Sequence, residues 1–169
     1  RGFFDVFPEL LKNTPVWPTM GNHDAFSPSK AYYQIFDLPT QGECGGYPSG
    51  TEKYYSFDRG KIHFICLNSE EYPDGMNEWL VNDLSSTRAD WIIAYLHHGP
   101  YTKGSHDSDY EREHLAVRDK LLPILENFGV DLILSGHSHA YERSHLIDGH
   151  YGRSWEFQAE QHSLDPRSG

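Results

Sequence analysis

Two short, continuous apolar runs, residues 91–96 and 132–134, flank a stretch of helical periodicity, and this alternation constrains the fold more than any other feature of the chain. Within that stretch Leu115, Leu121, Leu122, Leu125 and Phe128 fall on one side of a helix over 111–128. Pro123 should kink or divide the helix, and Gly129 should stop it. Apolar runs of this length, closed by turn residues, read as central strands buried on both faces. Upstream, residues 53–58 and 61–67 read as a hairpin turning at Asp58-Arg59-Gly60, and 76–84 as an amphipathic helix. Residues 15–20 read as a short buried strand ending at Gly21, preceded by a helix over 3–11. A short helix over 31–36, following Ser27-Pro28-Ser29, and a Gly- and Pro-rich loop over 39–50 complete the first half. Strand and helix alternate through the second half, which predicts an α/β sandwich. From about Gly152 the chain is polar and patternless, so residues 152–169 are expected to form a poorly ordered tail behind a domain of residues 1–151.

At 169 residues the chain is long enough for one domain with a sizeable core. Its hydrophobic content of 37% is low, and the 14% of aromatic residues partly offsets this, since Tyr and Trp bury large areas. The formal charge of -11 argues against a binder of nucleic-acid backbone, which needs clustered Lys and Arg. An acidic protein that handles phosphate needs local positive charge, and bound metal ions supply it. No apolar run approaches the roughly 18 residues of a membrane span. The opening residues Arg1-Gly2-Phe3-Phe4-Asp5 carry no signal-peptide pattern and read as the continuation of a longer chain. Cys66, inside the apolar run 62–67, reads as a buried thiol, whereas Cys44, in the Gly-rich loop, either pairs with it or stays free.

Three clusters each follow a predicted strand: Gly21-Asn22-His23-Asp24, His97-His98-Gly99-Pro100 and Gly136-His137-Ser138-His139. Alone, each has an ordinary reading as a polar strand end or a turn. Together they point elsewhere, because binding groups in open α/β sheets collect at the carboxyl ends of strands. Neutral imidazole nitrogen and amide oxygen suit zinc, iron or manganese, and the lack of thiolates argues against a structural zinc knot. Two such ions, roughly 3.5 to 4 Å apart, can clamp both the attacking and leaving oxygens of a phosphoryl group.

On these blocks the chain resembles the calcineurin-like metallophosphoesterases. Gly21-Asn22-His23-Asp24 and Gly136-His137-Ser138-His139 are similar to two blocks of that superfamily. The continuation Ala140-Tyr141-Glu142-Arg143-Ser144 and the segment His97-His98-Gly99-Pro100-Tyr101 resemble its purple acid phosphatase branch. The resemblance implies a β-sandwich flanked by helices and hydrolysis of small-molecule phosphate esters, with a metal-bound hydroxide attacking phosphorus in line. Asn22, His97 and His137 would bind one metal and His139 the other; the flanks Trp91 and Tyr101 favour His97 over His98. His23 would face the substrate phosphate, with Asp24 orienting it, and His106 matches a histidine placed near the leaving group. Glu142 and Arg143 read as a structural ion pair, and His63, His114, His145, His150 and His162 as surface or core polar residues.

One departure matters. The family's Asp-x-Gly and Gly-Asp-x-x-Tyr blocks, which precede the Asn-His pair and supply carboxylates including the one that bridges the metals, do not occur upstream of Asn22. The expectation is therefore a fragment whose first βαβ part is missing. A parent protein would hold two metal ions (Fe, Zn or Mn), and this chain at most one tightly. The isolated chain would then be weak or inactive, and a non-catalytic transition-metal-binding module is the alternative. Extracellular or periplasmic location, as a secreted protein without a membrane anchor, is implied by the branch alone.

Overall fold

Proline sets the course of the first twenty residues. The computed structural model describes residues 3–28 and 30–164, so the expectations for Arg1, Gly2, Ser29 and 165–169 lie outside the described residues. The helix expected over 3–11 is divided into α1 (Phe3–Val6) and α2 (Pro8–Leu11), because Pro8 cannot continue the hydrogen bonding of the preceding turn. Residues 15–20 are not a strand. Pro15 and Pro18 have no N–H to give a ladder, and the segment is held by side chains instead. The Pro18 carbonyl accepts from the Tyr32 and Tyr55 hydroxyls at 2.9 and 2.7 Å, and Thr19 Oγ1 donates to the Leu67 carbonyl at 3.2 Å. This path delivers α3 (Asn22–Ala25), and α4 (Ala31–Ile35) follows.

The sheet has four strands in the order β1-β2-β3-β4: β1 (Tyr55–Arg59), β2 (Ile62–Cys66), β3 (Trp91–His98) and β4 (Leu132–Gly136). β1 and β2 form the expected hairpin, with the turn one residue later than read, since Arg59 pairs with Ile62 and Gly60 takes the positive φ of 63°. β2–β3 and β3–β4 are parallel and joined through helices: α5 (Met76–Ser86) crosses between the first pair, and α6 (Arg112–Lys120) with α7 (Leu122–Asn127) between the second. The break between α6 and α7 falls at Leu121, which leaves Pro123 in the first turn of α7, where its missing N–H costs nothing. Gly129, at φ 70°, ends the helix as expected. The architecture is a mixed α/β fold with a four-stranded sheet flanked by helices.

One face of the sheet packs Ile65, Leu67, Ala94 and Leu96 against Leu80, Leu84, Val117, Leu121 and Leu125 of the helices. Burying each of these large aliphatic side chains stabilises the fold by about 1.5–3 kcal/mol. The other face is covered over β1 and β2 by Trp17, Met20 and Tyr32. There Trp17 stacks on Phe57 and Phe57 on Phe64. This second cover stops short of β4. β3 is consequently buried on alternate residues rather than on both faces, and Leu132 and Leu134 of β4 are 46% and 51% exposed instead of buried. A cavity of about 720 Å³ opens on that face between Trp17, Phe57, Phe64, Tyr95 and Leu134. It contains none of the clustered histidines.

Cys66 is buried and Cys44 exposed, and both are free. Burial pushes the Cys66 thiol up to about 12, which makes it a packing group. Residues 152–164, expected to be poorly ordered, carry a 3₁₀ turn (Ser154–Glu156) and α8 (Ala159–His162). Ser154 accounts for this: its N–H and hydroxyl donate to the fully buried Asp109 carboxylate at 2.9 and 2.5 Å. Lys103 Nζ lies 2.6 Å from the same group and Arg118 Nη1 3.6 Å, so the segment docks on a buried charge network.

Candidate metal centre

A strand end, a bulge and a strained residue build the site. In the β3–β4 ladder Leu96 faces Ser135 but His98 faces Gly136, so His97 is an extra residue on β3. Such bulges re-aim a side chain at the end of a strand. After Gly136, His137 takes a left-handed backbone with φ 65°, a conformation that costs a non-glycine residue about 1–2 kcal/mol. Gly21 is buried against His97, and a Cβ there would lie 2.9 Å from two atoms of the imidazole. Asp24 Oδ2 accepts from the Gly21 N–H at 3.1 Å and so closes the turn that carries Asn22 and His23.

These features bring one residue from each sequence cluster together. His97 Nε2 lies 3.1 Å from Asn22 Oδ1 and 3.0 Å from His137 Nδ1. Donor atoms held about 2.0–2.1 Å from a tetrahedral zinc-class ion stand about 3.3 Å apart, close to the separation of His97 Nε2 from each of its two neighbours. Burial, with the nearby His137, pushes His97 down to about 4; burial, with His106 and His114, also lowers His137. Both imidazoles are therefore neutral at physiological pH, the state in which they ligate metals.

His98 is buried beside these residues: its ring centroid lies 4.4 Å from that of His137, and one donor atom from each of His97, His98 and His137 lies within 4.8 Å of the other two. His98 Nδ1 is 3.1 Å from Ser69 Oγ, and its Nε2 is 3.4 Å from Glu70 Oε1. Burial and the surrounding histidines push His98 down to about 3. Glu70 was not among the residues singled out from the sequence. Its side chain is buried, Oε1 has no hydrogen-bond partner and lies 3.8 Å from His97 Nε2, and burial raises its pKa. The signal was present, because Asn68-Ser69-Glu70 follows an apolar run just as the other clusters do. An orphaned buried carboxylate oxygen beside two neutral imidazoles is a position that a cation would satisfy.

The remaining expected residues are placed around this core. His23 is exposed on α3, near enough that its charge disfavours protonation of His97. The His106 ring lies tilted by 33° against that of His137 with centroids 3.9 Å apart, and its Nδ1 is 2.8 Å from Glu111 Oε2. The loop that carries His106 is stitched to the loop after β4. Ser105 N–H donates to Ser138 Oγ, the His139 N–H to Ser105 Oγ, and the Lys103 N–H and Thr102 hydroxyl to Glu142. Glu142 thus serves the loop rather than an ion pair with Arg143. The His139 imidazole is exposed and belongs to neither group of clustered ligands among the described residues.

The family model for calcineurin-like phosphoesterases matches residues 1–141. Purple acid phosphatase 23 of Arabidopsis thaliana is 34% identical over 151 residues, an alignment covering 82% of this chain and 31% of that protein. An uncharacterized protein of Mycobacterium tuberculosis is 29% identical over 173 residues, covering 89% of this chain and 32% of its own length. Purple acid phosphatase 1 of Ipomoea batatas is 30% identical over 145 residues, covering 78% and 29%. The chain spans about a third of the length of the curated relatives it matches.

Proposed function

This chain belongs to the calcineurin-like phosphoesterase family, and from that premise we propose that it is the histidine-bearing part of a metal-dependent hydrolase of small phosphate esters. The observation that carries the reading is the position of His97 Nε2, 3.1 Å from Asn22 Oδ1 and 3.0 Å from His137 Nδ1. These three residues would hold one divalent ion, and His139 would reach a second that needs further ligands from outside residues 1–169. When bound, the ions supply hydroxide near neutral pH and positive charge for the phosphoryl oxygens. His23, exposed beside the ligands, acts on the substrate phosphate, and Asp24 positions it by closing its turn. His106, held by Glu111, stands at the leaving-group side.

On this reading residues 1–151 are the catalytic part and 152–169 an appendage to it. The whole protein works outside the cytoplasm, as the resemblance to purple acid phosphatases suggests. Among the described residues no helix is long and apolar enough to cross a membrane. The alternative, a metal-binding module without hydrolase activity, is supported by the wholly neutral donor set at His97. His23 separates the two, because a metal trap has no use for it.

The test uses the full-length protein, with a generic aryl phosphate and elemental analysis of bound metal. His97→Ala should lose metal and activity together. His98→Ala should lose about 10- to 100-fold in activity, as expected of a residue that supports ligands. His23→Ala should keep its metal while kcat falls by about 10²- to 10⁴-fold. A His23→Ala protein that purifies without metal, or His97→Ala and His98→Ala variants with the same metal content, would overturn these assignments.

A further inference from the structure

A second group of donors lies around His137, and the sequence reading did not assign it to a metal. His114, on α6, has no exposed surface. Its Nδ1 is 2.5 Å from the Gly99 carbonyl oxygen, so Nδ1 carries the proton and Nε2 the lone pair. That Nε2 is buried and has no partner. An imidazole whose Nδ1–H is anchored on a backbone carbonyl, with its Nε2 lone pair free, has the usual form of a metal-ligating histidine. His106 is prepared in a similar way, with Nδ1 on Glu111 Oε2 at 2.8 Å. Glu111 Oε1 also accepts from the Asp107 N–H, and each carboxylate oxygen keeps a further lone pair. One donor atom from each of His106, Glu111, His114 and His137 lies within 4.8 Å of the other three.

We propose that His106, Glu111 and His114, with His137 at its edge, form a binding site for a zinc-class divalent cation, separate from the Asn22–His97–His137 pocket. Two imidazoles and a carboxylate make a donor set that suits zinc and leaves a fourth position for water. The donors come from a loop, the start of α6 and its interior, and lie within 4.8 Å of one another, so small side-chain movements would draw them to the about 3.3 Å spacing of ligands on one ion. His137 Nδ1 is turned to His97, and a neutral imidazole has one lone pair, so this residue serves one ion at a time. The site does not depend on the phosphoesterase reading. If that reading holds as well, an ion here takes the His106 lone pair away from the leaving group, and excess zinc lowers turnover.

Equilibrium dialysis of the 169-residue chain against Zn²⁺, with elemental analysis, tests the proposal. The wild-type chain should take up two Zn²⁺ at saturation, one more than the ligands at His97 account for. Glu111→Gln and His106→Asn should each lose one equivalent. The affinity of the lost site should fall by more than about 100-fold, beyond the 10- to 100-fold cost of disturbing a residue that only orients a ligand. His97→Ala should lose the other equivalent and keep this one, so failure of one site is distinguishable from failure of the other. Both altered side chains in the test site are partly exposed, at 32% and 35%, and Gln retains an acceptor for the Asp107 N–H. Unchanged urea midpoints would verify that the fold persists. A Co²⁺-loaded chain should show the intense visible bands of a four-coordinate ion, and Glu111→Gln should lose that contribution. Saturation of the wild type at one Zn²⁺, or wild-type uptake by both Glu111→Gln and His106→Asn, would overturn the proposal.

Discussion

Gly21 shows how a single residue governs the centre without binding anything. Its φ of -115° is open to any residue, so the backbone does not demand glycine. Space does, because the His97 ring packs where a Cβ would stand, 2.9 Å from two of its atoms. Gly21→Ala should tilt that ring away from Asn22 and His137. We expect Zn²⁺ affinity at the His97 site to fall by about 10- to 100-fold, the cost of misorienting a ligand, with little change in the urea midpoint. Unaltered zinc affinity would show that the ring has room to yield. Gly-Asn-His-Asp was legible in the sequence as a metal-site block, but the reason for its glycine was not, since the ring it accommodates lies 76 residues away.

At the scale of elements, His63 joins three of them. It lies on β2, and its ring nitrogens are 2.6 Å from Asp58 of β1 and 2.9 Å from the buried Asp83 of α5. Burial lowers the pKa of this imidazole, but the hydrogen bonds and charges of Asp83 and Asp58 outweigh burial and hold it above its usual value. A raised folded-state pKa stabilises the fold most below the unfolded value of about 6.5 and loses that contribution as pH rises through the folded value. The neutral ring carries one N–H, so above that pH only one of the carboxylates still receives a hydrogen bond. Urea midpoints of wild type and His63→Gln should therefore differ most at pH 5.5, and the gap should narrow steadily between pH 6.5 and 9. A gap that widens with pH would remove His63⁺ as the cause. The hairpin and α5 were readable from alternation and helical spacing. The Asp58–His63–Asp83 clamp was not, because tertiary packing alone brings α5 over β1 and β2.

For the whole molecule, the uncovered side of the sheet is the feature with physical consequences. Leu132 and Leu134 are exposed on the edge strand, beside a cavity walled by Trp17, Phe57, Phe64 and Tyr95. β4 has no second strand partner among the described residues, and an edge that is both unpaired and apolar invites association with other chains. Leu134→Lys should reduce light scattering and oligomer content of the 169-residue chain at high concentration. Its unfolding midpoint should stay nearly constant, because the leucine is already half in water. If association persists undiminished, a different surface is responsible.

The sequence by itself determined the α/β class, the hairpin, the helices from Met76 to Asn127 and the polar clusters at the ends of β3 and β4. These are local properties, set by periodicity, turn residues and the chemistry of neighbouring side chains. The flanking residues favour His97 over His98 as the ligand; in the structure a bulge at His97 sets that imidazole beside Asn22 and His137, while His98, 4.4 Å from the His137 ring, also reaches Ser69. Only the tertiary structure decided that residues 15–20 follow the sheet without joining it, that β4 is exposed, and that Glu70, Glu111 and His114 stand among the site histidines. Burial and convergence depend on which distant segments cover a residue, and no local pattern encodes that.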